Sequence, residues 1–349
     1  AESRRTRQQQ NRFRIATGRD VGHRGVHEQG ALARARPAQH SDGAARISAT
    51  QGVECQFGVR GGHATHDITR VRQLRLTWSA PDAPGTIGKV TDLLCTYRFG
   101  PTGPATVLAL HGLTGHGKRW ETLFTRHLPD VTAIAPDLLG HGRSSWDAPW
   151  TIEANVAALA ALVDAEADGP VVVVGHSFGG AIALNLAAAR PDLITGLVLL
   201  DPAVALDGRW MREVADDMYS SPDYTDRAEA RQEKVGGSWG EVPDDELDRE
   251  LDEHLVDAAD GRVGWRISIP AMLSYWSELT RPVPVPRDGT PTTLVRATHT
   301  DPPYASDELI TALEAGLGPN FTLLEWDCDH MVPLAKPTET AAAIRDRLA

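Results

Sequence analysis

The sequence predicts a doubly wound, mostly parallel α/β sheet that carries a helical insertion between its sixth and seventh strands. Three observations lead there. From about residue 70 to 205, short β-like runs alternate with segments whose apolar residues recur at helical spacing. One of those runs, "PVVVVG" at 170–175, is β-branched and unbroken, as expected for a strand buried on both faces of a parallel sheet. The alternation then stops over about 205–285 and resumes with "TTLVRA" at 292–297, which marks the intervening segment as an insertion into one sheet domain.

The elements follow in order. "RLTW", "LLCTYRF" and "ATVLALHG" read as strands separated by Pro- and Gly-bearing turns. A helix is expected over about 118–128, then "VTAIAPD" as a strand. "TIEANVAALAALVDAEA" follows as a helix, with Thr151, Glu153 and Asn155 supplying capping chemistry. "PVVVVG" leads directly into "HSFGGAIALNLAAARP", helical until Pro191, and "GLVLLD" forms the next strand. Within the insertion, "WMREVADDMY" and "DDELDRELDEHLVDA" are helical stretches, and 207–260 hold 18 acidic side chains. After the Pro-rich linker "RPVPVPRDGTP" come "TTLVRA", a helix near 305–316, "FTLLEW", and a last helix from about 337. The expected organisation is an Arg-rich extension over 1–70, a core over 71–204 and 286–349, and a helical cap over 205–285.

Charge separates the first segment from the rest. Residues 1–75 hold 14 Arg and 6 acids, a surplus of +8, while the remainder carries −20 and the whole chain −12. No lysine cluster or aromatic interleaving supports a nucleic-acid arm, so an unfolded tail is the plainer expectation. The first methionine is Met211. A start near the folded domain would therefore use a codon written here as Val71 or Leu76, which would make the Arg-rich stretch a mis-assigned extension. Three cysteines, Cys55, Cys95 and Cys328, lack C-x-x-C spacing and fit a reducing compartment. No apolar run reaches the roughly 18–20 residues of a membrane span, so a soluble cytoplasmic protein is expected.

Two stretches match Gly-x-Ser-x-Gly: "GHSFG" at 175–179 and "GGSWG" at 236–240. A nucleophilic hydroxyl needs an exposed Oγ, a base, and donors for the developing oxyanion. A serine on a sharp turn between strand and helix has the first and last of these. Ser177 has that context, with four valines before it and an Ala-rich helix after it. Ser238 has neither, since a polar helix-like run precedes it and Pro243 follows. It reads instead as a turn within the insertion, with Gly236, Gly237 and Gly240 as a hinge and Trp239 packing on the site. "HGLTGHGKRW" follows the strand "ATVLAL", where the Leu113 N–H can pair with the Phe178 N–H as oxyanion donors, with His111 bracing the loop. In "PDLLGHGRSS", Asp137, His141 and Gly142 shape a tight loop.

These motifs in this order resemble the α/β-hydrolase fold superfamily, over about residues 72–349. In particular the chain is similar to bacterial lid-bearing esterases, lipases and cofactor-free perhydrolase-type enzymes. The resemblance implies the chain order serine, acid, histidine. His330, in "FTLLEWDCDHMVPLAKP", meets the last place, with Asp329 where the family usually has glycine. For the acid, Asp301 after "TTLVRA" is the expected residue and Asp201 after "GLVLLD" the rival. The implied reaction is hydrolysis of a carboxylic ester through an acyl-enzyme on Ser177, with no metal or organic cofactor. Amide or carbon–carbon hydrolysis and perhydrolysis are alternative uses of the same residues, and a non-catalytic binding protein is the alternative of another class. The expected partner is a small, apolar ester. His176, Trp210, Met211, Trp239 and Trp276 are candidate pocket residues; Met218, Trp265, Met272 and Tyr275 either join them or form the insertion's own core.

Overall fold

A computed structural model describes residues 93–287 and 289–349. The Arg-rich segment, the two proposed start positions and the run "RLTW" lie outside the described residues. Among these residues, seven strands form one sheet in the order β1-β3-β2-β4-β5-β8-β9. They are β1 (Thr96–Phe99), β2 (Val107–Leu110), β3 (Ala133–Pro136), β4 (Val171–His176), β5 (Ile194–Leu200), β8 (Thr292–Ala297) and β9 (Phe321–Trp326). β1 pairs with β3 in antiparallel fashion and every other pairing is parallel. The expected first strand at 75–78 lies outside the described residues, so the insertion expected between the sixth and seventh strands follows the fifth described strand of this sheet, β5, and precedes β8.

The period of two along the central strands divides the core into two layers. Leu108, Leu110, Val171, Val173, Leu197, Leu199 and Leu294 point into one buried cluster, shared with helices α1 (Ile152–Glu166) and α2 (Phe178–Ala189). Val107, Ala109, Val172, Val174, Val198, Leu200 and Val295 point into the other, covered by the long C-terminal helix (Pro337–Leu348). An unbroken valine strand is the sequence consequence: both of its faces need apolar side chains. The helix expected over 118–128 is wound unevenly, as a 3-10 turn at Gly117–Trp120 and a π turn at Leu123–His127. That winding leaves Trp120, Leu123, Phe124 and Leu128 all buried on the second layer.

Thr151 caps α1 as its sequence suggests, accepting from the Ala154 N–H at 3.1 Å. Asn155 has a different task. Its amide donates to Tyr275 Oη at 2.8 Å and its carbonyl accepts the Leu139 N–H at 3.0 Å, while Tyr275 donates to the Leu139 carbonyl at 3.1 Å. This buried trio ties the insertion to the core. The insertion comprises α3 (Gly208–Ser220), α4 (Arg227–Gly236), α5 (Asp244–His254), a hairpin of β6 (Leu255–Asp257) and β7 (Val263–Trp265), and α6 (Ile269–Glu278). The stretch "DDELDRELDEHLVDA", expected to be helical throughout, ends its helix at His254, and its "LVD" forms the β6 half of the hairpin. The remaining helices are α7 (Asp307–Leu317), the short α8 (Val332–Ala335) and α9 (Pro337–Leu348). No helix among the described residues is long and apolar enough to cross a membrane.

α2 approaches β4 so closely that a Cβ on Gly175 would stand 2.4 Å from the Gly179 carbonyl oxygen. Gly175→Ala is therefore expected to destabilise the fold by about 1–3 kcal/mol, the usual range for an overpacked core. Gly169→Ala, with no atom within 4 Å of the new methyl, should stay within about 0.5 kcal/mol of the parent in urea unfolding.

Candidate active site

Ser177 lies between β4 and α2 with φ 53° and ψ −117°. This left-handed backbone is unusual for a residue with a side chain and is held by its surroundings. The Ser177 N–H donates to the Leu200 carbonyl at 3.1 Å, and its carbonyl accepts the N–H groups of Gly180 at 2.9 Å and Ala203 at 3.1 Å. The turn is thus bonded to the adjacent strand end as well as to its own helix.

His330 lies in the loop after β9, before α8, and its Nδ1 is 2.6 Å from Asp201 Oδ2. Both groups are buried, Asp201 completely. Asp201 takes φ 42° just past β5, where its N–H donates to the Val295 carbonyl at 2.7 Å and its Oδ1 accepts the Ala297 N–H at 3.3 Å. The carboxylate that meets His330 is therefore Asp201, and the expectation of Asp301 is corrected. Asp301 is solvent-exposed in the loop after β8, whereas Asp201 is fixed across the end of that strand by backbone hydrogen bonds.

The loop around His330 is braced from three sides. His176 is buried, and its Nε2–H donates to the His330 carbonyl at 2.8 Å. Burial, and then the neighbouring His330, hold the His176 imidazole well below its ordinary pKa and so neutral. Asp329 accepts the His330 N–H at 2.6 Å, while its own N–H donates to Glu241 of the insertion at 2.9 Å. Tyr304 stacks on the His330 ring, with centroids 3.8 Å apart and planes 21° from parallel.

Sequence reasoning missed Tyr304 and Glu241. Tyr304 follows two prolines in a loop without a motif, and Glu241 is one acid among many in the insertion.

The Gly112 loop rests on Ser177: a Cβ on Gly112 would be 2.9 Å from Ser177 Cβ. Leu113 follows it, and Phe178 is the first residue of α2, whose N–H has no acceptor within its own helix. His111 braces this loop as expected, donating from Nδ1 to the Gly112 carbonyl at 2.8 Å and accepting the Leu138 N–H on Nε2 at 2.9 Å. Asp137 receives the N–H groups of Gly117 and Arg143, each at 2.7 Å, and shapes its loop rather than facing a substrate. His141 is buried, and that burial lowers its pKa to about 3.

The candidate pocket residues divide. Trp210 packs beside Tyr304, with ring centroids 5.1 Å apart, and so approaches His330. Met211 is buried in the main core cluster and Trp276 packs against it, as do Met218 and Trp265, while Met272 and Tyr275 are buried within it. Trp239 belongs to a separate cluster with Val242, Leu247, Leu251, Met331 and Leu334, which joins the insertion to the chain just after His330. Ser238 sits in the turn that follows α4, with neither a strand before it nor a helix starting after it.

Comparison with known proteins fits this geometry. A model of the alpha/beta hydrolase family matches residues 107–343. Lipase LipV of Mycobacterium tuberculosis is 63% identical over 255 residues, covering 73% of this chain and 97% of that protein. An esterase of the same organism is 39% identical over 110 residues, 31% of this chain and 36% of the relative. Among solved structures, E-2-(acetamidomethylene)succinate hydrolase superposes with a TM-score of 0.62 at 22% identity, covering 73% of this chain and 94% of that one. A marine microorganism esterase does so at 0.59 and 20%, covering 72% and 98%. At these identities the superpositions speak for the fold alone. The family match runs from β2 into the C-terminal helix and the 63% identical relative aligns over most of the chain, so this protein belongs to the alpha/beta hydrolase family.

Proposed function

We propose that this alpha/beta hydrolase cleaves a carboxylic ester through a Ser177-His330-Asp201 triad and an acyl-enzyme. The observation that carries the reading is the buried 2.6 Å contact between His330 Nδ1 and Asp201. It fixes the imidazole tautomer and leaves Nε2 as the nitrogen that accepts the Ser177 proton. Ser177 Oγ attacks the carbonyl carbon, and the Leu113 and Phe178 N–H groups stabilise the tetrahedral oxyanion. Protonated His330 then returns its proton to the departing alcohol, and water repeats the sequence on the acyl-enzyme. Asp201 orients the imidazole and stabilises the imidazolium.

The ester substrate is supported by the lipase and esterase names of the relatives. Trp210 and Tyr304 give the approach to His330 an aromatic wall, suited to an apolar acyl or alkyl group. The insertion serves as the lid of this site, over the C-terminal ends of the strands where open α/β sheets bind ligands. A panel of p-nitrophenyl esters, amides and diketones distinguishes ester cleavage from amide or carbon–carbon hydrolysis.

Ser177→Ala is expected to abolish ester turnover, by about 10⁴-fold or more, while Ser238→Ala turns over as the parent does. An active Ser177→Ala enzyme would sink the proposal. Asp201→Asn should lower kcat by about 10⁴-fold, because the amide favours the wrong imidazole tautomer. Asp301→Asn should leave kcat within about twofold, consistent with a surface position. The reverse pattern of the two aspartates would overturn the triad.

A further inference from the structure

Beside the site lies a buried charge cluster with no part in the proton transfers. Glu250 of α5 is 2% exposed and binds three groups. Arg119 approaches it as a fork, Nη2 donating to Oε1 at 2.5 Å and Nε to Oε2 at 3.1 Å. His116 donates from Nε2 to Oε2 at 3.0 Å, and Lys234 of α4 donates to Oε1 at 3.3 Å. Arg119, His116 and Lys234 are themselves 7%, 4% and 9% exposed. Trp239 and Trp265 enclose the Lys234 ammonium, at 4.2 and 4.1 Å from their ring centroids, and Trp239 also faces the Arg119 guanidinium at 5.1 Å. Burial alone would raise the Glu250 pKa, yet Arg119, Lys234 and His116 hold it well below the ordinary value, so the carboxylate stays charged.

The two core members of the cluster come from one loop. Residues 111–120 carry Gly112 and Leu113 at one end and His116 and Arg119 at the other. Between them, Thr114 takes φ 59° and the Gly115 N–H closes a turn onto the Gly112 carbonyl at 3.0 Å. The Arg119 guanidinium lies against this turn: its Nη1 is 2.7 Å from where a Gly115 Cβ would be, and its Nη2 is 3.5 Å from the Thr114 carbonyl. A non-glycine residue with positive φ stays there only when its surroundings over-determine it.

We infer that Glu250 of the insertion is a positioning residue for catalysis, which acts through the Arg119 fork and His116 to hold the 112–115 turn so that the Leu113 N–H is aimed at the oxyanion. The inference rests on the proposed roles of Ser177 and Leu113. Oxyanion donors act in the transition state far more than on bound ester, so a misdirected donor lowers kcat and leaves KM nearly unchanged.

The test uses the full chain carrying Glu250→Gln, Arg119→Lys, Glu253→Gln or Ser177→Ala, with folded fraction measured by circular dichroism. kcat and KM are read on p-nitrophenyl butyrate, together with the second-order rate of Ser177 phosphonylation by a fluorophosphonate. Glu250→Gln and Arg119→Lys, the latter keeping the charge but not the fork, should lose at least about tenfold in kcat per folded enzyme. Phosphonylation should slow in parallel, and KM should move less than about threefold. Glu253→Gln, which removes a partly exposed carboxylate paired with Lys118 and Arg143, should keep the parent kcat. Should Glu250→Gln fail to fold, Arg119→Lys decides alone. Parental kcat per folded enzyme, or a change confined to KM, would overturn the inference. Activity in Ser177→Ala would instead overturn the reading of the site, so the two failures are distinguishable.

Discussion

At Ser177 the backbone adopts a left-handed conformation that a residue with a side chain enters at a penalty of about 1–3 kcal/mol, and the surrounding architecture is arranged to hold it there. β4 stops at His176 and α2 begins at Phe178, so one residue makes the whole reversal from strand to helix. That is possible because Gly175 and Gly179 let the helix backbone lie against the strand end, and because the ends of β5 and the following loop bond to Ser177 on both sides. The same turn puts the first helical N–H groups next to the serine. Strain at the serine and an anion-favouring helix start beside it are thus consequences of one packing decision.

The rest of the site hangs from neighbouring strand ends. Asp201 follows β5 and is fixed by the backbone of β8, while His330 comes from the loop after β9. All lie at the C-terminal edge of the parallel strands, where loops from adjacent strands converge. The insertion contributes from outside this frame, through Glu241 on Asp329, the buried cluster that Trp239 shares with Met331 and Leu334, and Glu250 on Arg119 and His116. Its acids are therefore not all a solvated face. Glu250 is a buried ion partner, and truncating it would leave the Arg119 guanidinium without its forked carboxylate partner in a buried environment.

Much of this was legible in the sequence for a physical reason: the strands β4 and β5 and the helix α2 are specified by local pattern and glycine placement. Ser177 could be separated from Ser238 because the elbow requires a strand before and a helix after it, and both are local. The acid could not be chosen that way. Asp201 and Asp301 each follow a strand, and the choice between them depends on which carboxylate reaches across the end of β8, a relation between residues 129 positions apart in the His330–Asp201 contact. The cation–π contact of Trp239 with Lys234 is hidden for a similar reason, since nothing local brings the two together. Tyr304 carries no motif, and its position over His330 arises only when the loops after β8 and β9 come together. Long-range polar and aromatic contacts, rather than the elements themselves, are what the sequence conceals.

The most direct test of the central claim is to trap the acyl-enzyme. The full chain is mixed with excess p-nitrophenyl butyrate, quenched in acid within the first turnovers, digested and mapped by mass spectrometry. The account predicts a butyryl group on the peptide that contains Ser177, formed along with a burst of p-nitrophenol. Turnover without any adduct, or an adduct on the peptide that contains Ser238, would contradict it.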